Sequence, residues 1–128
     1  MIFMLKLNPI QRIYMQTFGK LGEDKATQFL EEQGYEILAR NYRYKKSEID
    51  IIGKKAGLLV FVEVKSRSSK AFGEPETFVS PSQQKAIIRA AQTYIQEINW
   101  PGDIRFDIIA FFKKGREEEM THLPDAFY

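Results

Sequence analysis

An unbroken apolar run, Leu58-Leu59-Val60-Phe61-Val62, constrains the fold of this chain more than any other feature of its sequence. Branched and aromatic residues favour a strand, and a strand without polar alternation has to be covered on both of its faces. The chain therefore needs elements on two sides of a sheet. Its 128 residues are enough for one such domain.

The patterns around this run predict an α/β domain with the element order α-β-β-β-α-β-β. Leu21, Ala26 and Leu30 recur at helical spacing, and Gly34 suits the end of that helix. The predicted elements are a helix at 18–33, strands at 35–44, 48–53 and 58–67, a helix at 80–99, a strand at 104–112 and a short strand around 120–123. Residues 68–79 are expected to form a polar loop. Residues 1–17 are expected to be an N-terminal extension of uncertain order, and 18–128 a single domain.

The rarer residue types exclude several kinds of site. The chain has no cysteine and one histidine, His122, so a disulfide framework, thiolate metal sites and a histidine-based zinc site are excluded. A chain without cysteine fits a reducing compartment, and we expect a cytoplasmic protein. No apolar stretch reaches the length of a membrane span, so no membrane partner is expected.

Charged side chains end the apolar run on one face of its strand. Glu63 and Lys65 alternate with Val62 and Val64, so the two charged residues point to the same side of the sheet. Taken alone, an acid and a lysine at this spacing indicate an exposed salt bridge more often than a site.

The preceding strand carries acids in a similar alternation. Glu48 and Asp50 are expected to share one face, with Ile49 and Ile51 on the other. A two-residue turn after Lys55 would set Asp50 directly opposite Glu63. A register shifted by two residues would set Glu48 there instead, and a three-residue turn would put Asp50 on the wrong face. A site therefore requires a loop with an even number of residues.

Two carboxylates on a partly buried face are costly unless a cation compensates them. Magnesium, with manganese as an alternative, prefers such oxygen ligands, so Asp50, Glu63 and the carbonyl of Val64 are candidate metal ligands. Lys65 is a candidate for orienting a water and stabilising charge on phosphorus. Glu23 lies two turns before Leu30 on the first helix and faces inwards as a further candidate catalytic residue.

Positive charge is concentrated around the same segment. Residues 35–70 carry nine basic and four acidic residues, although the whole chain is only +2. Such a distribution suits contacts with a phosphate backbone. The candidate nucleic-acid contacts are Arg43, Lys45, Lys46 and Arg67, together with Lys85 near the start of the second long helix. Asp107, inside an apolar strand, is expected to be a structural partner of an arginine.

The sequence resembles the YraN family of small bacterial proteins, which are described as predicted endonucleases. The resemblance rests on five segments: residues 19–26 (GKLGEDKA), 34–43 (GYEILARNYR), 48–52 (EIDII), 60–67 (VFVEVKSR) and 105–109 (RFDII). It implies a restriction-endonuclease-like fold, similar to archaeal Holliday-junction resolvases, with a mixed central sheet flanked by helices. It also implies metal ligation by Asp50 and Glu63, a water-directing Lys65, and a contribution from Glu23.

The leading hypothesis from the sequence is a magnesium-dependent endonuclease that hydrolyses phosphodiester bonds of DNA. A branched or otherwise structured substrate is implied by the resemblance to resolvases. A homodimer is an additional expectation, because cutting both strands symmetrically needs two sites. The alternatives are a non-catalytic nucleic-acid-binding module and a protein-interaction module of a DNA-processing complex.

Overall fold

The computed structural model describes residues 6–69 and 79–128 of the chain. The element order α-β-β-β-α-β-β is confirmed. The elements are α1 (Pro9–Glu32), β1 (Glu36–Tyr44), β2 (Ser47–Lys55), β3 (Leu58–Arg67), α2 (Pro81–Ile98), β4 (Asp103–Lys114) and β5 (Glu117–Leu123). Residues 1–5 of the expected extension and residues 70–78 of the expected loop lie outside the described residues.

The five strands form one mixed sheet in the order β1-β2-β3-β4-β5. Only the β3–β4 pair among these strands is parallel, and its partners run from Leu58 and Asp103 to Arg67 and Phe112. A parallel pair needs a long crossover connection, which is where the chain places α2.

The two faces of the sheet are covered by different helices, as the apolar run in β3 requires. Leu59 and Phe61 join the core cluster on the α2 side, whereas Val60 and Val62 join the cluster that contains α1. All four side chains are at most 1% exposed. The protein is therefore a three-layer sandwich with β3 at its centre.

Helix α1 begins at Pro9, so the predicted start at Phe18 is wrong by nine residues. A capping box explains the earlier start: the Gln11 N–H donates to the Asn8 side chain at 2.8 Å, and the Asn8 N–H donates back to the Gln11 side chain at 3.0 Å. Proline is well suited to the first helical position. The added turns are exposed, with Ile10 79% exposed, so no amphipathic pattern marked them.

The β2–β3 hairpin has the two-residue turn that a site requires. Lys55 pairs with Leu58, and the register runs on to Ile51 and Val62. Both turn residues have positive φ, 50° at Ala56 and 78° at Gly57, which is the backbone of a type I′ turn. Asp50 and Glu63 follow the last pair of this register, which ends at Ile51 and Val62.

No helix in the described parts of the chain is both long enough and apolar enough to cross a membrane.

Candidate functional site

Asp50 and Glu63 form a buried acid pair where β2 and β3 separate. Each residue is 8% exposed. Backbone pairing of the two strands runs only as far as Ile51 and Val62, and beyond it the Val64 N–H donates to Asp50 Oδ2 at 2.7 Å. The Asp50 carboxylate thus accepts the hydrogen bond that a backbone carbonyl of β2 would accept if the pairing continued.

Side-chain alternation along β2 also changes at this point. Ile51 packs in the α1-side cluster, but Ile49 packs in the α2-side cluster. The prediction that Ile49 and Ile51 share a face is therefore wrong, because the strand does not continue as a regular ladder through Asp50.

The acid pair is electrostatically strained without a cation. Burial, with the negative charge of Glu63 second, raises the pKa of Asp50 to about 9. Burial also raises the pKa of Glu63, although Lys65 and a hydrogen bond with Asp50 oppose that rise. The two carboxyl groups therefore tend to share a proton at neutral pH when no cation is present.

Lys65 lies beside this pair as predicted. Its Nζ is 3.6 Å from Glu63 Oε1, and its side chain is 16% exposed. The ammonium contributes one positive charge against two buried acids. Once both acids are ionised the site is therefore undercompensated, which is the condition under which a divalent cation is stabilising.

A cavity of about 400 Å³ opens onto the acid pair. It lies between the middle of α1, the start of β2 and the first turns of α2, which contribute Glu23, Lys46 and Gln83 to its lining. The first turns of α2 present the positive end of a helix dipole, which favours anions such as phosphate.

Asn41 joins two further acids at the rim of this cavity. Its Nδ2 donates to Glu23 Oε1 at 2.9 Å and to Glu48 Oε1 at 2.7 Å. The backbone of Asn41 has a φ of 51°, a conformation that asparagine tolerates better than most residues. One amide therefore holds Glu23 of α1 and Glu48 of β2 together.

A close helix–strand contact fixes the height of Glu23 over the sheet. Gly22 lies against β3 so tightly that a Cβ there would come within 1.9 Å of Ser66 Oγ. That hydroxyl is buried and has no hydrogen-bond partner within the described part of the chain. Only glycine allows α1 to approach this closely, and the next residue, Glu23, then reaches the cavity.

The predicted phosphate-binding residues are spread along the edge of this site. Arg43 pairs with Glu48 at 3.0 Å and is 73% exposed, so its ion pair is weak. Lys45 Nζ lies 5.4 Å from the centre of the Tyr44 ring, and Lys46 lines the cavity.

Arg67 and Lys85 are not among the residues that line the cavity. The Arg67 guanidinium donates to the Ser66 carbonyl at 2.8 Å, and burial lowers the pKa of Arg67. Lys85 is exposed on α2 and is not one of the residues that line the cavity. Nucleic-acid contact by all five basic residues stays a prediction.

Sequence reasoning missed two residues of this site. Asn41 was marked only by a weak strand pattern. Gln83 follows Ser80 by three residues, which made it resemble a capping residue; its backbone N–H does donate to Ser80 Oγ at 3.1 Å, but the residue also lines the cavity. Neither contact has a signature in sequence spacing alone.

The available oxygen atoms suit a magnesium ion that takes only a few of its ligands from the protein. In residues 6–69 and 79–128, no group of three or more histidine, cysteine or acidic side chains is close enough to hold a metal. Magnesium needs only one or two carboxylates, with waters and substrate phosphates completing its shell. In a β-strand the N–H and C=O of one residue point towards the same neighbouring strand. Because the Val64 N–H points to Asp50 on β2, the Val64 carbonyl also faces that side of β3.

Asp107 is separate from this site and has a structural role, as predicted. The carboxylate is completely buried and accepts hydrogen bonds from Arg105 at 2.7 Å, His122 at 2.8 Å and the Asp125 N–H at 3.0 Å. Burial raises the pKa of Asp107, but the hydrogen bonds from His122 and Arg105 outweigh it, and the pKa lies below its ordinary value. This network ties β4 to β5 and the C-terminal segment.

Together these features define a class of protein: a three-layer α/β domain with a buried acid pair and a lysine where two strands of its sheet separate. A family model described as "Uncharacterised protein family UPF0102" matches residues 22–111, a segment that contains all four predicted catalytic residues. The chain belongs to the UPF0102 family.

Bacterial relatives match most of the chain. A UPF0102 protein of Flavobacterium johnsoniae is 48% identical over 114 residues, covering 86% of this chain and 93% of its own length. A UPF0102 protein of Flavobacterium psychrophilum is 46% identical over 110 residues, with 86% and 92% covered. A UPF0102 protein of Janthinobacterium is 44% identical over 115 residues, with 90% of each chain covered.

Proposed function

We propose that this protein is a magnesium-dependent endonuclease that hydrolyses phosphodiester bonds of DNA. The observation that carries the proposal is the buried, undercompensated pair of Asp50 and Glu63, with Lys65 beside it, at the base of a cavity. The resemblance to the YraN family and to restriction-endonuclease-like proteins supports the same reaction. A fold-level likeness alone would not be enough.

The residues that would hold Mg²⁺ or Mn²⁺ are Asp50, Glu63 and the carbonyl of Val64. When bound, the cation supplies a more acidic water and neutralises negative charge on the phosphate. Because the acid pair retains a proton without a cation, occupancy of the site is coupled to release of that proton.

Lys65 directs the attacking water and stabilises the transition state. Its ammonium, 3.6 Å from Glu63, donates hydrogen bonds to the water or to a non-bridging phosphate oxygen. Water attacks phosphorus in line: the water gives up a proton to solvent as the new oxygen–phosphorus bond forms, the bond to the 3′ oxygen breaks, and the leaving oxygen takes up a proton from solvent.

Glu23 and the first turns of α2 complete the site. Asn41 holds Glu23 at the cavity rim, where its carboxylate accepts a hydrogen bond from a water at the reacting phosphate. The start of α2, near Gln83 in the cavity lining, presents the positive end of a helix dipole, which favours the phosphate itself. Arg43, Lys45, Lys46, Arg67 and Lys85 contact the flanking phosphates.

The test is cleavage of DNA by the purified protein, using supercoiled plasmid and a labelled four-way junction with Mg²⁺ or Mn²⁺. Glu63→Gln and Lys65→Met should each reduce cutting by at least about 100-fold, since each removes a group that stabilises the transition state. Glu36→Gln and Lys114→Met change exposed residues of the same types and should cut like the wild type.

Two results would contradict the proposal. Wild-type cutting by both Glu63→Gln and Lys65→Met would assign the activity to another part of the protein or to a contaminant. DNA binding that weakens with salt but is unaffected by a metal chelator, with no cutting of either substrate, would support a non-catalytic binding module instead.

A further inference from the structure

A second and larger cavity, of about 770 Å³, adjoins the site cavity, and Glu23 and Glu48 line both. It runs between the outer half of α1 and the edge strand β1. Its α1 wall includes Met15, Gln16 and Gly19, and its β1 wall includes Arg43. We call this cavity the Gly19 groove.

Gly19 has no explanation among residues 6–69 and 79–128. A glycine inside a helix costs about 0.8–1.0 kcal/mol relative to alanine, so it usually marks a close contact. A Cβ at Gly19 would meet nothing within 4 Å, whereas a Cβ at Gly22 would collide with Ser66. As far as the structure describes the chain, the bare backbone of Gly19 therefore faces the open groove, which indicates close approach by a molecule that binds there.

The chemistry of the groove walls suits a single strand of nucleic acid. Arg43 is 73% exposed, and its ion pair with Glu48 is weak enough to yield to a phosphate. Met15 offers an apolar surface, and Gln16 an amide, to a base. A cavity of about 770 Å³ is within the range of small-ligand clefts, roughly 300–1,000 Å³, and is much too small for a duplex.

We propose that the Gly19 groove binds one unpaired DNA strand and leads it to the Asp50–Glu63 pair. The substrate would then carry a single-stranded segment next to the bond that is cut, as in a flap, a gap or an opened branch. This inference rests on the proposed function, because it takes DNA as the substrate.

The test measures binding in EDTA, where no cutting occurs, by fluorescence anisotropy of a fluorescein-labelled 12-nucleotide single strand and its blunt duplex. Gly19→Gln places a side chain in the groove and should weaken binding of the single strand at least tenfold. Thr17→Gln changes an exposed residue of the same helix that lines a different cavity, and should leave binding unchanged.

Gly19→Ala separates a binding role from a structural one. Because its methyl group meets open space, it should raise the thermal unfolding midpoint by roughly 3–5 °C through helix propensity. The same variant should weaken single-strand binding about threefold. A purely structural glycine would not make the protein more stable and the binding weaker together.

Three results would overturn the inference: unchanged single-strand binding by Gly19→Gln, equal weakening by Thr17→Gln, or tighter wild-type binding of the blunt duplex than of the single strand. None of these depends on metal or on cutting. Single-strand binding that depends on Gly19, without cutting of any substrate, would support the groove and contradict the nuclease activity. The two proposals can therefore fail separately.

Discussion

Replacing Asp50 by asparagine should stabilise the protein when divalent cations are absent. The amide retains an oxygen that can accept the Val64 N–H, now 2.7 Å from the carboxylate. Its nitrogen can donate to Glu63, so the hydrogen bond between the two side chains no longer depends on a retained proton. The Glu63–Lys65 ion pair remains in place.

The size of the effect follows from the pKa of Asp50. Burial, with the charge of Glu63 second, raises this pKa to about 9 in the folded protein, and in the unfolded chain it is about 3.9. Between these values the folded state binds one more proton than the unfolded state, so wild-type stability falls as pH rises. From pH 5 to pH 8, at about 1.36 kcal/mol per unit, the ceiling is about 4 kcal/mol. Screening at an effective dielectric near 20 reduces this, and we expect about 2 kcal/mol.

Urea unfolding in EDTA at pH 5 and pH 8 measures this difference. The quantity of interest is the free energy of unfolding of Asp50→Asn minus that of the wild type. This difference should be about 2 kcal/mol larger at pH 8 than at pH 5. Asp103→Asn, at an exposed acid, is the control and should follow the wild type. Adding Mg²⁺ at 100 times its Kd should then stabilise the wild type by about 2.7 kcal/mol and leave Asp50→Asn unchanged. A variant that is less stable than the wild type at pH 8 in EDTA would refute the strained acid pair.

Three other substitutions test the surroundings of the site. Gly22→Ala should lower the free energy of unfolding by about 1–3 kcal/mol, because its Cβ would collide with Ser66, and Ser66→Gly should restore most of that loss in the double variant. Asp107→Asn should lower the free energy of unfolding, measured in urea at pH 7, by about 2–4 kcal/mol, because it weakens the pairing with Arg105. The pKa of Asp107 is depressed in the folded protein, so this loss of stability relative to the wild type should shrink below about pH 4. Asn41→Gly keeps the positive φ but removes the bridging amide, so it should lower kcat about tenfold with little change in thermal stability; equal losses of folding and activity would show that Asn41 is only structural.

The sequence predicted the site through strand periodicity and loop length. The run from Leu58 to Val62 predicted a strand covered on both faces, and the Lys55–Leu58 turn set the register that runs to Ile51 and Val62, the neighbours of Asp50 and Glu63. Both arguments depend on the two-residue repeat of a strand, and this repeat is visible in the order of the residues alone.

Long-range contacts could not be predicted in the same way. The Asn41 amide bridges acids that lie 18 and 7 residues away, on two different elements. Ile49 changes sides because the β2–β3 ladder ends, and periodicity alone assumes that it continues. The exposed first turns of α1 bury no apolar face, so only the cap at Asn8 determines their start.

The most direct test of the central claim is a crystal structure of the protein soaked in MnCl₂, with an anomalous difference map measured at the manganese edge. We predict a peak that contacts a carboxylate oxygen of both Asp50 and Glu63, with the Val64 carbonyl as a third protein ligand. A map in which manganese binds only elsewhere, while Asp50 and Glu63 remain hydrogen-bonded to each other, would contradict the account.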